Sequence, residues 1–547
     1  TMNKLAARLL AAFAVLPYRV EPFLPFRSFT QKIAHSSSPS RFFSVTAAQN
    51  SNEISEEEDV IHLDIDENYE GDVRTYEDFY NEFMDALEDI KKNRISSVKD
   101  IQSIFDDMFE AYIASDDPSL WPNTTIYNIL LEAHAGCTAD EGGSEAEHIL
   151  NRMEDLTVDT IARPNKESYK HVMDAWANRK NPSKAELLME RLQNRCEKTA
   201  DPELQPDTAV YNKLIVAWVK SDSLDKSQQA ERILNYMIEQ YKNGNSLLVP
   251  NQKSFIQVMR CYGYQDKTKE GLKKVRELFQ SMKHLYQLNA SPALQPDTPV
   301  YNELINNIAF NKGIDNPAKE TEDVLYEMLE AANAGNEALQ PDSETFRLVF
   351  NSHKGNPDPS IAYKVEKLVE LQKNSDVVPT AGSFNAAIQA IAWTRAPDKA
   401  SLCWKLLQRM NEQDLTPTLS SYNGLLNACA HSVEPSNPAD IFGIAVKAFN
   451  QLRDDDKLAP NVKSYSNFLR ACAQLLPDNA KRDSVVQNVF LKCAEEGHVG
   501  RSVIAELLDA CSEEILVNLL GGDPKDGLKI PRKWSRNVKD EREILRK

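Results

Sequence analysis

Glycine is scarce in this chain, 18 of 547 residues, and that scarcity counts against folds built on Gly-rich turns or phosphate-cradling loops. Neither a G-x-x-x-x-G-K loop, an H-E-x-x-H pair nor a dinucleotide fingerprint occurs, so the commonest nucleotide, metalloprotease and redox chemistries have no motif to stand on. The eight cysteines (Cys137, Cys196, Cys261, Cys403, Cys429, Cys472, Cys493 and Cys511) are scattered, with no C-x-x-C and no Cys/His cluster at zinc spacing. They read as reduced, mostly buried thiols. Long apolar runs are missing too: Leu9–Leu16 is far too short to span a bilayer. The carboxylates lie on the polar faces of helices, where a solvated charge is the ordinary explanation. Nothing in the sequence calls for a metal, a cofactor or a small-molecule substrate, and the expectation is a protein that is not an enzyme.

Positive charge is in deficit overall, with a formal net charge of -19, but it is unevenly spread. Residues 1–52 carry +5 and residues 53–72 carry -10, so the remaining 475 carry -19 - 5 + 10 = -14. Bulk charge therefore excludes a generally basic nucleic-acid protein, and any nucleic-acid footprint has to be local. The start, apolar with spaced Lys and Arg and then Ser-rich, has the composition of an organellar transit peptide. Arg41-Phe42-Phe43-Ser44 resembles a mitochondrial processing site, giving residues 1–43 as the address and 44–72 as an acidic disordered leader. A cleaved secretory signal and a plastid import signal remain the alternatives.

What the sequence has in abundance is repetition. The phrase Gln-Pro-Asp-Thr-x-Val-Tyr-Asn-x-Leu-Ile occurs at Gln205 and again at Gln295. Aligned on its aromatic, it recurs at Tyr127, Tyr169, Tyr211, Phe255, Tyr301, Phe346, Phe384, Tyr422 and Tyr465, at intervals of 42, 42, 44, 46, 45, 38, 38 and 43 residues. That is the period of a helical-repeat array. Before each aromatic stands Pro and a small polar residue, from Pro122-Asn123 to Pro460-Asn461. The proline forces its predecessor out of the helical region and delivers an extended linker into the next helix.

Each repeat reads as two amphipathic helices. In the one opening at Thr208, Val210, Tyr211, Leu214, Ile215 and Trp218 share one face, and Ala230, Ile233, Leu234, Met237 and Tyr241 another, both at the 3.6 period. Asn181-Pro182, Asn316-Pro317, Asp358-Pro359 and Asn437-Pro438 mark starts of second helices. One hairpin cannot cover its own apolar stripe, so neighbours must stack. The recurring aromatic is accordingly a core residue.

These repeats resemble pentatricopeptide repeats, whose first helix carries a V-T-Y-N-T-L-I phrase and whose end carries P-D/N. The W-x-x-L-G-x-x-Y signature of tetratricopeptide repeats is missing. The resemblance covers roughly residues 124–500. It implies an all-α right-handed superhelical solenoid of helix-turn-helix repeats: a degenerate repeat over 73–123, eight repeats over 124–461, a last repeat with capping helices over 462–520, and a basic tail over 521–547. It also implies single-stranded RNA as partner, one base per repeat, read by the residue after the aromatic together with the polar residue that ends the repeat. The pairs are then Asn128 with Asn165, Asn212 with Asn251, Asn302 with Asp342, Asn385 with Thr418 and Asn423 with Asn461, with Ser466 holding the slot in the ninth repeat. Such Asn residues resemble pyrimidine readers, a carboxamide carrying both a donor and an acceptor.

Elsewhere this slot holds Lys170, Ile256 and Arg347, which that code does not read, and two repeats place Glu167 and Glu344 three residues before it, where a carboxylate would repel a phosphodiester. Of the phosphate-holding Lys nine residues after the aromatic, only Lys220 remains. With stacking worth about 1–3 kcal/mol per base and phosphate contacts dominating affinity, binding is expected to be weak or partner-dependent. The function so implied is organellar transcript processing, stability or translation, with a protein-interaction scaffold inside an organellar ribonucleoprotein such as the ribosome as the alternative. In the tail, nine basic residues face five acids around Trp534. Docking of Trp534 on the last helices is the favoured reading, stacking on nucleic acid the other.

Overall fold

The computed structural model describes residues 74–93, 98–115, 117–137, 140–155, 160–432, 437–455, 457–521 and 530–539. The expected transit peptide and acidic leader lie outside them. Among the described residues every regular element is helical, twenty-two α-helices joined by short turns and 3-10 segments. None is long and apolar enough to cross a membrane. The chain forms two compact bodies, one up to Pro206 together with Lys220–Asp222, the other Asp207–Val219 and everything from Ser223.

Within each body the motif is the helical hairpin, the all-α repeat architecture the period predicts. In the first, Lys166–Asn178 pairs with Pro182–Thr199 and stacks on Thr124–Gly136 of the preceding hairpin. In the second, first helices such as Gln252–Gln265, Thr298–Ala309, Ser343–Ser352, Ala381–Trp393, Leu419–Ala430 and Val462–Leu475 contact one another in sequence order. The recurring aromatic is buried in every repeat, Tyr169, Phe255, Phe346 and Tyr465 completely. Where it is Tyr, its hydroxyl often finds a carboxylate: Tyr301 donates to Glu327 Oε1 at 2.8 Å and Tyr465 to Glu496 Oε2 at 2.6 Å. Burial and that carboxylate raise both phenols far above their usual range. A buried hydroxyl with a strong acceptor incurs little desolvation cost, which is why Tyr and Phe interchange here.

The linkers are built as their prolines predict. Before most first helices a 3-10 turn tucks one leucine into the core, Leu204, Leu248, Leu294 and Leu339 among them. The opening threonine of a first helix fastens the following linker. Thr208 Oγ1 lies within hydrogen-bonding distance of Leu247 O (3.1 Å) and Val249 O (2.7 Å), and Thr298 makes the same pair with Ala338 O and Gln340 O. Asn181 and Asn316 cap their second helices, accepting the Lys184 and Lys319 N–H at 3.2 Å each. Asn437 does not: its amide turns to Asp440. Asp358 is displaced one step, with Pro359 at the cap and Ser360 first in the helix. Tyr241, assigned to the apolar face by period, is half-buried.

The C-terminal tail closes the last hairpins. The Trp534 ring meets Phe490 edge-on at 5.7 Å, the Val499 N–H donates to Trp534 O at 2.8 Å, and Asn537 N–H donates to Gly497 O at 2.9 Å. Gly497 ends the helix Ala480–Glu496 with φ +80°, and a Cβ there would collide with Arg536 Cγ at 2.5 Å. Both the turn and the docked tail require glycine at that position.

Candidate RNA-facing junctions between repeats

Five junctions share one hydrogen-bonded constellation. A first helix begins at an N-cap residue whose side-chain oxygen accepts the N–H of the third helical residue. That third residue is Ser or Thr, and its hydroxyl receives the cap's own N–H, completing a capping box at Asn165, Asn251, Asp342, Thr418 and Asn461. Into each box reaches the Asn of the preceding repeat. Asn128 Nδ2 donates to Asn165 Oδ1 at 3.3 Å while Ser168 Oγ donates to Asn128 Oδ1 at 2.7 Å. Asn212 donates to Asn251 at 3.2 Å and accepts from Ser254 at 2.6 Å. Asn302 donates to Asp342 at 3.1 Å and accepts from Thr345 at 2.7 Å. Asn385 donates to Thr418 Oγ1 at 3.0 Å and accepts from Ser421 at 2.5 Å. Asn423 donates to Asn461 at 3.4 Å and accepts from Ser464 at 2.7 Å.

The network fixes which way each amide points. Asn251 Oδ1 receives the Ser254 N–H at 3.1 Å, so it is an acceptor and the Asn212 atom facing it must be nitrogen. The Ser254 hydroxyl receives the Asn251 N–H at 3.2 Å, so its own hydrogen goes to the Asn212 carbonyl. An Asn side chain has two N–H donors and two carbonyl lone pairs. The frame uses one of each, leaving one donor and one acceptor on a preset amide. Asn128, Asn212, Asn385 and Asn423 are half-buried. Asn302 is 8% exposed and is the most enclosed of the five.

Every predicted pair is thus brought together, with a third member the sequence reading missed: Ser168, Ser254, Thr345, Ser421 and Ser464, all fully buried. The signal was present, since these residues stand directly before the recurring aromatic. Where the slot is not Asn, the partner changes. Lys170 is followed at the next box position by Val210, and Ile256 by Val300. At Arg347 the third residue is Ser383, whose hydroxyl turns to the Thr380 carbonyl at 3.0 Å. Ser466 has no box to enter, because the next first helix, Arg501–Ala510, starts from Gly500, which has no side chain.

Two expectations about charge change. Glu167 and Glu344 do not face outward unpaired: Lys170 Nζ bonds Glu167, and Arg347 Nε donates to Glu344 Oε2 at 2.6 Å. Lys170 and Arg347 thus neutralise the carboxylates three residues before them. Lys220 is engaged as well, its ammonium donating to Asn178 Oδ1 at 2.6 Å.

Residues 367–432 match the family model of the pentatricopeptide repeat domain, a stretch that contains the Asn385–Thr418–Ser421 constellation. Over those residues the chain matches the pentatricopeptide repeat domain. Among solved structures it is similar to the pentatricopeptide repeat protein PPR10 from maize, with 16% identity, TM-score 0.46, and coverage of 81% of this chain and 58% of that one. It is also similar to yeast Rmd9p in complex with a 16-nt target RNA, with 13% identity, TM-score 0.37, and coverage of 82% and 94%. The chain spans about six tenths of the maize protein. No curated protein sequence matches it.

Proposed function

We propose that this chain binds single-stranded RNA through pentatricopeptide repeats and reads pyrimidines at the five repeats that hold Asn128, Asn212, Asn302, Asn385 and Asn423. The observation that carries this reading is the preset amide. At each of these junctions a capping box and a buried hydroxyl hold an Asn so that one N–H and one carbonyl lone pair remain, able to meet a base's Watson–Crick edge; the lean to pyrimidines follows the resemblance to pentatricopeptide repeats that hold Asn in this slot. Pre-orientation removes the rotamer cost of ordering the amide on binding. The Lys170, Ile256 and Arg347 repeats space the readers without reading.

In this account the chain acts on organellar transcripts, in their processing, stability or translation, with residues 1–43 as the import address, mitochondrial in preference to plastid. Import of a 1–43 fusion into isolated mitochondria and into chloroplasts separates those addresses. The binding reading is tested by titrating the full chain with U-rich, C-rich and purine-rich 20-mers across a salt series. Preference for either pyrimidine supports it, and equal or absent binding to all three overturns it.

A further inference from the structure

Nine residues beyond the recurring aromatic, each first helix ends at its turn into the second, and three repeats of the second body place a large aromatic there. Tyr264 is 66% exposed, Phe310 49% and Trp393 54%. These rings do not build the core, because the same slot elsewhere holds Gly136, Asn178, Lys220, Gly355, His431 and Gln474 without loss of the hairpin. A cation follows each within three residues, Lys267, Lys312 and Arg395, all exposed. The turns are tied edge to edge. Lys312 N–H donates to Lys267 O at 2.9 Å, Asn311 Nδ2 donates to Thr268 O at 2.7 Å, and Arg395 N–H donates to Pro357 O at 2.9 Å. The ring-plus-cation steps therefore lie on tied pairs of neighbouring turns, Tyr264–Lys267 beside Phe310–Lys312, and Lys354–Pro357 beside Trp393–Arg395. Of the acids there, Asp266 receives the Thr268 N–H at 2.9 Å, Asp358 the Ser360 N–H at 2.9 Å and Asp398 the Tyr363 hydroxyl at 2.8 Å. Asp315 stays exposed.

We infer that this turn edge is a second, sequence-tolerant contact for the same single-stranded RNA, with bases stacked on Tyr264, Phe310 and Trp393 and phosphates held by Lys267, Lys312 and Arg395. The inference rests on the RNA-binding reading above and supplies what the Asn junctions lack. Stacking accepts any base through its face, and a cation beside each ring offers one phosphate contact per step. Isolated rings separated by cations suit a flexible polyanion better than a protein partner, whose site would join apolar residues into one patch.

The test uses the full chain with U-rich and A-rich 20-mers in a salt series. Tyr264→Ser, Phe310→Ser and Trp393→Ser change exposed side chains, and circular dichroism controls for folding. Each is expected to weaken binding on the order of tenfold for both RNAs alike, leaving the ratio between them unchanged. Lys267→Gln/Lys312→Gln/Arg395→Gln is expected to flatten the log–log salt slope by about 2, at roughly 0.7 per phosphate contact on a single strand. Unchanged affinity in the ring variants, with pyrimidine preference intact, overturns the edge alone. The same holds if those variants lose a protein partner instead. Failure of the wild-type chain to bind any RNA overturns the base-reading proposal and this one with it.

Discussion

Removing one buried hydroxyl separates an amide held by the frame from one that merely lies near it. Ser254 is fully buried, donates to Asn212 at 2.6 Å and receives the Asn251 N–H at 3.2 Å. Ser254→Ala leaves one carbonyl and one backbone N–H without partners. Unmade bonds in a buried site cost about 1–3 kcal/mol, so a local loss of about 2 kcal/mol is expected, partial access of water at half-buried Asn212 holding it to the middle of that range. The assay is amide hydrogen exchange across residues 251–256, which reports the opening of this junction rather than of the whole array. About 2 kcal/mol is a roughly thirtyfold faster exchange. Asn212→Ala should cost a similar amount alone, and because the two share one bond, the double variant should cost at least about 1 kcal/mol less than the sum. Ser254→Thr should restore protection, since Thr345 does the same work for Asn302. Additivity within about 0.5 kcal/mol would refute the coupling and with it the preset amide.

Other expectations follow from the same physics. His134 is 7% exposed, and burial, aided by Arg179, pushes its pKa down to about 4. The folded chain keeps it neutral while the unfolded chain takes a proton near pH 6.5, so its contribution is complete above that pH and is lost as pH falls towards 4. Between pH 7 and 5 the first body should lose about 2 kcal/mol in urea unfolding, and His134→Leu should flatten that dependence. Burial raises the thiols of Cys429 and Cys472 to about 12 and that of Cys403 higher still. With Cys196 the one cysteine not buried, a thiol reagent at pH 8 should label about one cysteine per native chain and all eight after denaturation. Trp534→Ala removes the ring packed on Phe490, and limited proteolysis should then release the tail while cleavage within the earlier repeats stays unchanged.

The hairpins were legible because a 3.6 period, a Pro at each linker and an aromatic at fixed phase all point to the same element. The Pro206–Trp218 stretch shows how far that goes: Val210, Tyr211, Leu214, Ile215 and Trp218 are buried as the period requires. The Asn pairs were legible too, as residues 37 to 40 apart or, at Asn385, 33 apart that a stacked repeat must bring together. Ser254 was less so: a Ser or Thr recurs directly before the aromatic, but its hydroxyl acquires its role only when the preceding repeat delivers Asn212. The pairing of Glu167 with Lys170 was open to a helical reading, being three apart on one face. The exposure of Tyr264, Phe310 and Trp393 depends on where each first helix ends, which composition alone does not set.

Selection of bound sequences from a random single-stranded RNA pool by the full chain tests the central claim most directly. Across the third to eighth repeats the slot reads Asn212, Ile256, Asn302, Arg347, Asn385, Asn423. At one base per repeat the account predicts enrichment of the pattern pyrimidine, any, pyrimidine, any, pyrimidine, pyrimidine, and loss of the first pyrimidine on Ser254→Ala. Recovered RNAs with no pyrimidine enrichment at that spacing, or an enrichment indifferent to Ser254→Ala, would contradict it.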